Sequence, residues 1–203
     1  MREQEKERTT EAELTTHVER EYEGGRVFVR AIKSGKYSLR EERQRQLDSP
    51  RVYKPSETEW KNGPQKWNKT LLKPGMGLMQ TIQASMEELA PGGRSQKHGH
   101  QNPALMYVLN GEGYDVHDGE QIAWKAGDLL IVPPGTVHQH FNASDDAPAR
   151  MLVIKSKPIY NFANLNYQEF VEKAPDTAAP GWEDFHPDTW AKEHGAGDEE
   201  TLR

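Results

Sequence analysis

The chain has 203 residues, no cysteine and a formal net charge of -6 at pH 7. Without cysteine, disulfide frameworks and thiolate metal sites are excluded. An acidic chain also lacks the basic surface that nucleic acids bind, so we expect no nucleic-acid partner. No apolar run approaches the ~20 residues that span a bilayer, and the charged first residues lack the apolar segment of a signal peptide. We therefore expect no membrane partner and a cytoplasmic location.

Three parts of the chain differ in their pattern. Residues 1–22 are dense in charge, which predicts a flexible lead. Residues 23–76 are predicted to form an arm that packs on the following domain or on a partner subunit. Within this arm, 26–32 alternates as a strand, and Ser38 is suited to cap a polar helix that runs to Leu47.

Residues 77–158 have turn residues at close intervals between short apolar runs. Asp118-Gly119 is a strong hairpin signal, because both residues tolerate the positive φ angles of a tight turn. This pattern predicts an all-β small barrel or jelly roll of antiparallel strands. The predicted strands are 77–89, 105–109, 114–117, 121–124, 129–132 and 149–155. Beyond them, 159–203 is predicted to contain a helix, capped by Asn166 and running from Tyr167 to Lys173, and an irregular tail.

Two pairs of histidines stand out in the predicted barrel. His98 and His100 are two residues apart, so on a strand their imidazoles point to the same face, and His138 and His140 repeat this geometry. Three neutral imidazoles that converge on one point suit a divalent transition metal and leave coordination positions open. His140 shares the cavity, either as an acid/base group or as filling. His117 lies beside a turn and is expected to face solvent.

The strand before the first histidine pair has one polar face, which includes Gln83 and Glu87. This face is either the solvent side of the barrel or the wall of a polar cavity. In the second case, Gln83 and Glu87 contact a substrate or hold metal-bound water.

Both histidine pairs lie in segments that resemble the cupin motifs. Gly93 through Gly111, with His98-x-His100, resembles the first motif, and Gly127, Pro133-x-Gly135, His138 and Asn142 resemble the second. The resemblance implies a single cupin, a double-stranded β-helix or jelly-roll barrel, with N-terminal and C-terminal extensions. We also expect a homodimer through the N-terminal segment, because residues 23–72 exceed what a minimal cupin barrel needs and cupins commonly exchange or pair edge strands. The usual glutamate ligand is absent, because Ala104 and Leu105 occupy its positions.

The runs His98 to Tyr107 and His138-Gln139-His140-x-Asn142 are similar to those of gentisate and salicylate-type dioxygenases. The similarity implies iron(II) held by His98, His100 and His138, with His140 beside a substrate that dioxygen cleaves. Those enzymes are typically longer chains with two cupins, so single-cupin ring or carbon–carbon bond dioxygenases stay open as relatives. Mn, Ni, Zn and Cu stay open as metals. A non-redox isomerase or lyase and a non-catalytic small-ligand-binding cupin stay open as functions.

The substrate-binding residue Met106 departs from the gentisate-like pattern, which typically has an arginine at this position. By strand parity, Met106 points into the same cavity as His98 and His100. A carboxylate buried against a thioether gains no partner, unless another cation intervenes. The sequence therefore predicts a neutral, non-carboxylated phenolic or enolic substrate.

Overall fold

The computed structural model describes residues 44, 46–73 and 81–194. Within them lie two antiparallel sheets, a 3-10 helix (Pro55–Glu57), the end of one helix at 44–47 and two complete α-helices. The strands are β1 (Lys61–Asn62), β2 (Lys66–Leu72), β3 (Gln83–Leu89), β4 (Lys97–His100), β5 (Ala104–Asn110), β6 (Glu112–His117), β7 (Glu120–Lys125), β8 (Leu129–Val132), β9 (Val137–Asn142), β10 (Ala149–Lys155) and β11 (Gln168–Glu172). The helices are α1 (Lys157–Phe162) and α2 (Pro187–Glu193). This architecture confirms the predicted all-β jelly roll.

The strands pair in nested order, as in a jelly roll. Innermost, β6 and β7 form a hairpin whose turn residues Asp118 and Gly119 have φ angles of 48° and 93°. Around it, β5 pairs with β8, β4 with β9, and β3 with β10. One sheet has the order β1-β2-β3-β10-β5-β8 and the other has the order β11-β4-β9-β6-β7. The nesting brings the two histidine pairs together, although about 40 residues separate them.

The core consists of side chains on the inner face of the six-stranded sheet, together with Trp124 of β7 in the five-stranded sheet. Along β5, Ala104, Met106 and Val108 are buried, whereas Leu105 and Tyr107 between them are exposed. The alternation follows from the two-residue period of a strand. The buried apolar cluster consists of Leu89, Ala104, Met106, Val108, Trp124, Leu130, Val132, Ala149, Met151 and Val153.

The segment after α1 corrects one prediction. Residues 167–173 were predicted to be helical, but 168–172 form β11, which pairs with β4 at the edge of the five-stranded sheet. Phe170 and Val171 favour strands, and the unpaired hydrogen-bonding groups along β4 supply partners for their backbone. Non-local pairing therefore overrides the capping signal of Asn166. The helices of this region are instead α1 and α2, on either side of β11.

The described part of the chain divides into two compact units. Residues 44, 46–51 and 73 belong to one unit, and 52–72 and 81–194 belong to the other. Gln44, Gln46 and Leu47 are helical, in agreement with the predicted end of the polar helix. The flexible lead, the strand at 26–32 and, within the arm, residues 23–43, 45 and 74–76 lie outside the described residues. The homodimer assigned to that arm stays a prediction.

None of the helices in the described part of the chain combines the length and apolar character needed to cross a membrane.

Candidate metal centre

A row of aromatic side chains crosses the inner face of the five-stranded sheet. His117 lies opposite His138, His138 opposite His98, and His98 opposite Phe170. Directly opposed residues of neighbouring strands project to the same face. The ring centroids of His98 and His138 are 4.4 Å apart, and those of His98 and Phe170 are 5.8 Å apart. The row is therefore fixed by main-chain register.

Three of these histidines form a cluster suited to a metal ion. His98, His100 and His138 are all buried, and each offers one ring nitrogen within 4.8 Å of the other two. The cluster consists of the residues that the sequence predicted as ligands. His98 and His100 lie on β4 and His138 lies on β9, and these two strands are neighbours because of the nested strand order.

The backbone orients each ring of the cluster. The Nδ1 atoms of His100 and His138 lie 2.6 Å from the Asn102 carbonyl oxygen and 3.0 Å from that of Thr136, and His98 Nδ1 lies 3.5 Å from that of Gln96. A carbonyl only accepts, so each Nδ1 carries the proton and Nε2 has the lone pair. Among the described residues, the buried Nε2 of His100 has no hydrogen-bond partner. A metal ion fits this arrangement, because it satisfies that nitrogen.

The surroundings keep the cluster neutral, as metal binding requires. Burial, followed by the neighbouring His140, lowers the pKa of His98 to about 3 and the pKa of His138 to about 2. Burial and the nearby Lys155 ammonium lower the pKa of His100. Protons therefore compete weakly with a cation at neutral pH.

The metal-free protein is expected to lose stability as pH falls from 6.5 to 5. Histidines of the unfolded chain have a pKa near 6.5, so they become protonated over this range. Folded His98 and His138 stay neutral there because their pKa values are lower. The free energy of unfolding should fall by up to about 1.4 kcal/mol per pH unit for each histidine. Urea titrations of chelator-treated protein measure this slope. His98→Gln should reduce this slope by the contribution of one histidine, up to about 1.4 kcal/mol per pH unit. The control His194→Gln, outside the cluster, should leave the slope unchanged. A free energy of unfolding that does not vary with pH in this range contradicts the expectation.

A buried carboxylate orients His140. Asp115 lies opposite His140 on β6, and its Oδ2 is 2.7 Å from His140 Nδ1. The same carboxylate accepts from His117 Nε2 at 3.1 Å and from the Trp124 indole at 2.8 Å. Burial favours the neutral acid, but attraction to His140 and these hydrogen bonds outweigh it and lower the pKa of Asp115. His140 thus presents Nδ1 to Asp115 and keeps Nε2 for other partners.

His117 is buried rather than solvent-facing, which corrects the sequence prediction. It is two residues from Asp115 on β6, so both point to the face that holds His138 and His140. Sequence reasoning missed Asp115 altogether. The sequence could have indicated its role, because Asp115 and His117 are two residues apart and two such residues of one strand point to the same face.

A glycine lets Trp124 reach Asp115. Gly113 lies opposite Trp124 in the hairpin, and a Cβ atom at Gly113 would stand 2.1 Å from the Phe141 carbonyl oxygen and 2.4 Å from the Trp124 ring. Any larger residue would therefore displace the indole that donates to Asp115. The hydrogen bonds around His140 thus depend on a position without a side chain.

The opposite wall of the barrel carries a second charged cluster. Glu87 is buried on β3, 2.6 Å from Lys66 Nζ and 3.4 Å from Lys155 Nζ. Burial raises the pKa of Glu87, but Lys155 and Lys66 outweigh that effect and lower it. Glu87 therefore faces the interior rather than solvent. Gln83 is half-buried on the same face, opposite Lys155, and neither residue belongs to the histidine cluster.

Comparison with known proteins relates this geometry to a family. Residues 85–155 match the family described as Cupin domain, and they include the three histidines, His140 and Asp115. This part of the chain is similar to a cupin domain in sequence and has its jelly-roll strand order. The match begins in β3 and ends with β10, so α1, β11 and α2 lie beyond it.

Several proteins similar to this chain carry dioxygenase names. It is 32% identical over 104 residues to a gentisate 1,2-dioxygenase of Ralstonia sp, covering 48% of this chain and 29% of the relative. It is 29% identical over 95 residues to a 1-hydroxy-2-naphthoate 1,2-dioxygenase of Nocardioides sp. (strain KP7), covering 47% of this chain and 24% of the relative. The chain thus spans less than a third of the length of either relative.

A solved structure has the same fold. The salicylate 1,2-dioxygenase from Pseudoaminobacter salicylatoxidans, in an adduct with gentisate, superposes with a TM-score of 0.50 at 16% identity. The likeness covers 56% of this chain and 31% of that chain. At this identity, it supports the cupin fold alone.

Proposed function

We propose that the protein is an iron(II)-dependent dioxygenase that cleaves a small phenolic or enolic compound. The observation that carries the proposal is the buried cluster of His98, His100 and His138, in which the backbone orients each ring toward a common point. The names of the relatives support the same reaction class. Iron(II) suits three imidazoles, and when bound it supplies electron transfer between an oxygen-ligated substrate and dioxygen.

The chain's own residues perform three tasks in this proposal. The three Nε2 atoms would hold the ion, and the cluster would supply no negatively charged ligand. His140 exchanges a proton with the substrate hydroxyl through Nε2, because Asp115 holds its Nδ1 proton. Met106 and Val108 belong to the apolar inner wall that excludes water from the barrel.

The charge of the substrate is not set by Met106 alone. Met106 is buried among apolar residues, so it offers no partner to a carboxylate at that point. The expectation of a neutral substrate held only if no other cation intervenes. Lys155 affects the pKa of both His98 and His100, and Lys157 affects that of His100, so cations do lie near the cluster.

Oxygen consumption by iron-reconstituted protein tests the proposed reaction. A panel of phenols and diketones is supplied with and without air, while an oxygen electrode records uptake and mass spectrometry identifies the product. We expect uptake with at least one member of the panel and a product heavier than the substrate by two oxygen atoms. Turnover of equal rate without air, or with zinc or nickel in place of iron, would instead show a non-redox isomerase or lyase.

A further inference from the structure

A cavity lies in the C-terminal segment, outside the residues that match the cupin family. It has a volume of about 260 Å³ and is lined by residues between Gly181 and Glu193, which form a turn and the helix α2. The histidine cluster contributes no residue to this lining. The cavity is therefore separate from the candidate metal centre, and its own walls decide what it can bind.

Contacts with the barrel hold the walls of this cavity in place. The Trp182 indole donates to the Asp145 carbonyl oxygen at 2.9 Å. The His186 ring meets the Trp67 ring of β2 edge-on, with centroids 4.7 Å apart. Because these side chains are already fixed, little conformational entropy is lost when a ligand enters.

Three aromatic rings line the cavity, and we call them the aromatic box: Trp182, Phe185 and Trp190. Their centroids are 5.5 to 6.2 Å apart, and their planes are inclined to one another by 50° to 82°. Rings at such angles cannot all stack on one flat molecule, but they present aromatic surface in several directions. The aromatic box therefore suits a compact, rounded group better than a planar one.

Three carboxylates also line the cavity, those of Glu183, Asp184 and Glu193. All three side chains are exposed, and among the described residues no lysine, arginine or histidine forms an ion pair with them. Hydrogen bonds from the backbone amides of Glu183 and Gly181 lower the pKa of the Glu183 carboxyl, so it is ionised at neutral pH. The cavity thus carries negative charge that no neighbouring side chain of the described chain offsets.

Aromatic rings beside unpaired carboxylates favour an organic cation. The face of an aromatic ring is the negative part of its quadrupole, so it attracts an alkylated ammonium group. A metal ion fits less well, because calcium takes about six to eight oxygen ligands and magnesium keeps its water. Pockets for drug-sized ligands begin at roughly 300 Å³. The cavity, at about 260 Å³, therefore suits a smaller compound.

We propose that this cavity binds a small quaternary ammonium compound. The methyl groups of the ligand contact the aromatic box, and its positive charge lies beside the three carboxylates. This binding site is independent of the proposed dioxygenase reaction and needs no metal ion, since the cavity and the histidine cluster share no residue.

Titration of the unmodified full-length protein with choline tests the requirement for positive charge. The matched ligand is the neutral alcohol in which a carbon atom replaces the nitrogen of choline, so the two compounds have the same shape. Calorimetry and tryptophan fluorescence measure both affinities at constant chloride concentration. We expect choline to bind roughly tenfold or more tightly than the alcohol. Equal affinities, or no saturable binding up to roughly 10 mM choline, overturn the proposal.

Two substitutions locate the bound cation. Trp190→Leu keeps an apolar side chain but removes a ring of the aromatic box, so it should weaken choline binding about threefold or more. Glu193→Gln should weaken choline binding by a similar factor and leave the affinity for the neutral alcohol unchanged. The effect of Glu193→Gln should shrink at high salt, because the charge of an exposed carboxylate is screened.

Matched controls separate these effects from general changes of charge or packing. Tyr107→Leu removes an exposed aromatic ring from β5, and Glu120→Gln removes an exposed carboxylate from β7; neither should change the affinity for choline. Glu193 is exposed, so Glu193→Gln decides the matter even if Trp190→Leu does not fold. A Glu193→Gln variant that binds choline as tightly as the unmodified protein, or that loses affinity for both compounds equally, overturns the proposal.

Discussion

Replacing His138 by alanine is expected to abolish metal binding. His138 is buried at the centre of the row, between His98 and His117, and its Nε2 is one of three convergent nitrogens. Loss of a residue that merely orients a ligand already costs about 10–100-fold in metal affinity, so loss of a ligand should exceed about a hundredfold. Metal analysis after dialysis should show about one ion per chain in the unmodified protein and a trace in the variant.

The same loss is expected for His98→Ala and His100→Ala, because no described carboxylate belongs to the cluster and can replace either imidazole. His194→Ala is the matched control, since His194 stacks on Trp190 near α2 and has no contact with the cluster. Circular dichroism of each variant verifies that the fold persists. Unchanged metal content in all three cluster variants would show that the metal binds elsewhere.

Sequence patterns predicted the barrel well because its strands alternate and its turns contain residues suited to them. The limits of β10, Ala149–Lys155, coincide with the predicted strand, and Asp118-Gly119 forms the predicted hairpin turn. The grouping of His98, His100 and His138 was predictable for the same reason. His98 and His100 share a face through local parity, and the cupin resemblance supplied the long-range pairing with His138.

The parts of the site that sequence reasoning missed depend on non-local contacts. Nothing within 167–173 reveals that β4 has an open edge, so the pairing that makes β11 a strand was not visible. Asp115 likewise gains its role only when β9 places His140 opposite to it. Lys155 was part of a predicted strand, but the lowering of the pKa of His98 and His100 by its charge depends on the tertiary fold. The local sequence pattern therefore predicted the strands of the barrel, whereas the charged groups around the histidines are brought together only by the tertiary fold.

Replacing Asp115 by asparagine is a milder test of the role of His140 in proton transfer. Asp115 accepts hydrogen bonds from His140, His117 and Trp124, and an amide offers one acceptor atom and one donor in place of two acceptors. Asp115→Asn should therefore leave the ring of His140 without its fixed proton arrangement. Within the described part of the chain, no hydrogen bond joins Asp115 to the three clustered histidines, and the Nδ1 atoms of His100 and His138 bond to backbone carbonyls instead.

Alanine at His140 is expected to leave the metal in place and to reduce turnover by roughly a hundredfold or more, as for an acid/base group. His140 is buried beside His138, with ring centroids 5.3 Å apart, yet its Nδ1 is committed to Asp115 and it stands outside the three-histidine cluster. Asp115→Asn should lower turnover in the same direction by less, and the exposed control Asp128→Asn should not change it. Metal analysis and oxygen uptake of the same preparations separate the possible roles. Loss of metal from His140→Ala would make His140 a ligand or a support for one, whereas full turnover would make it a packing residue.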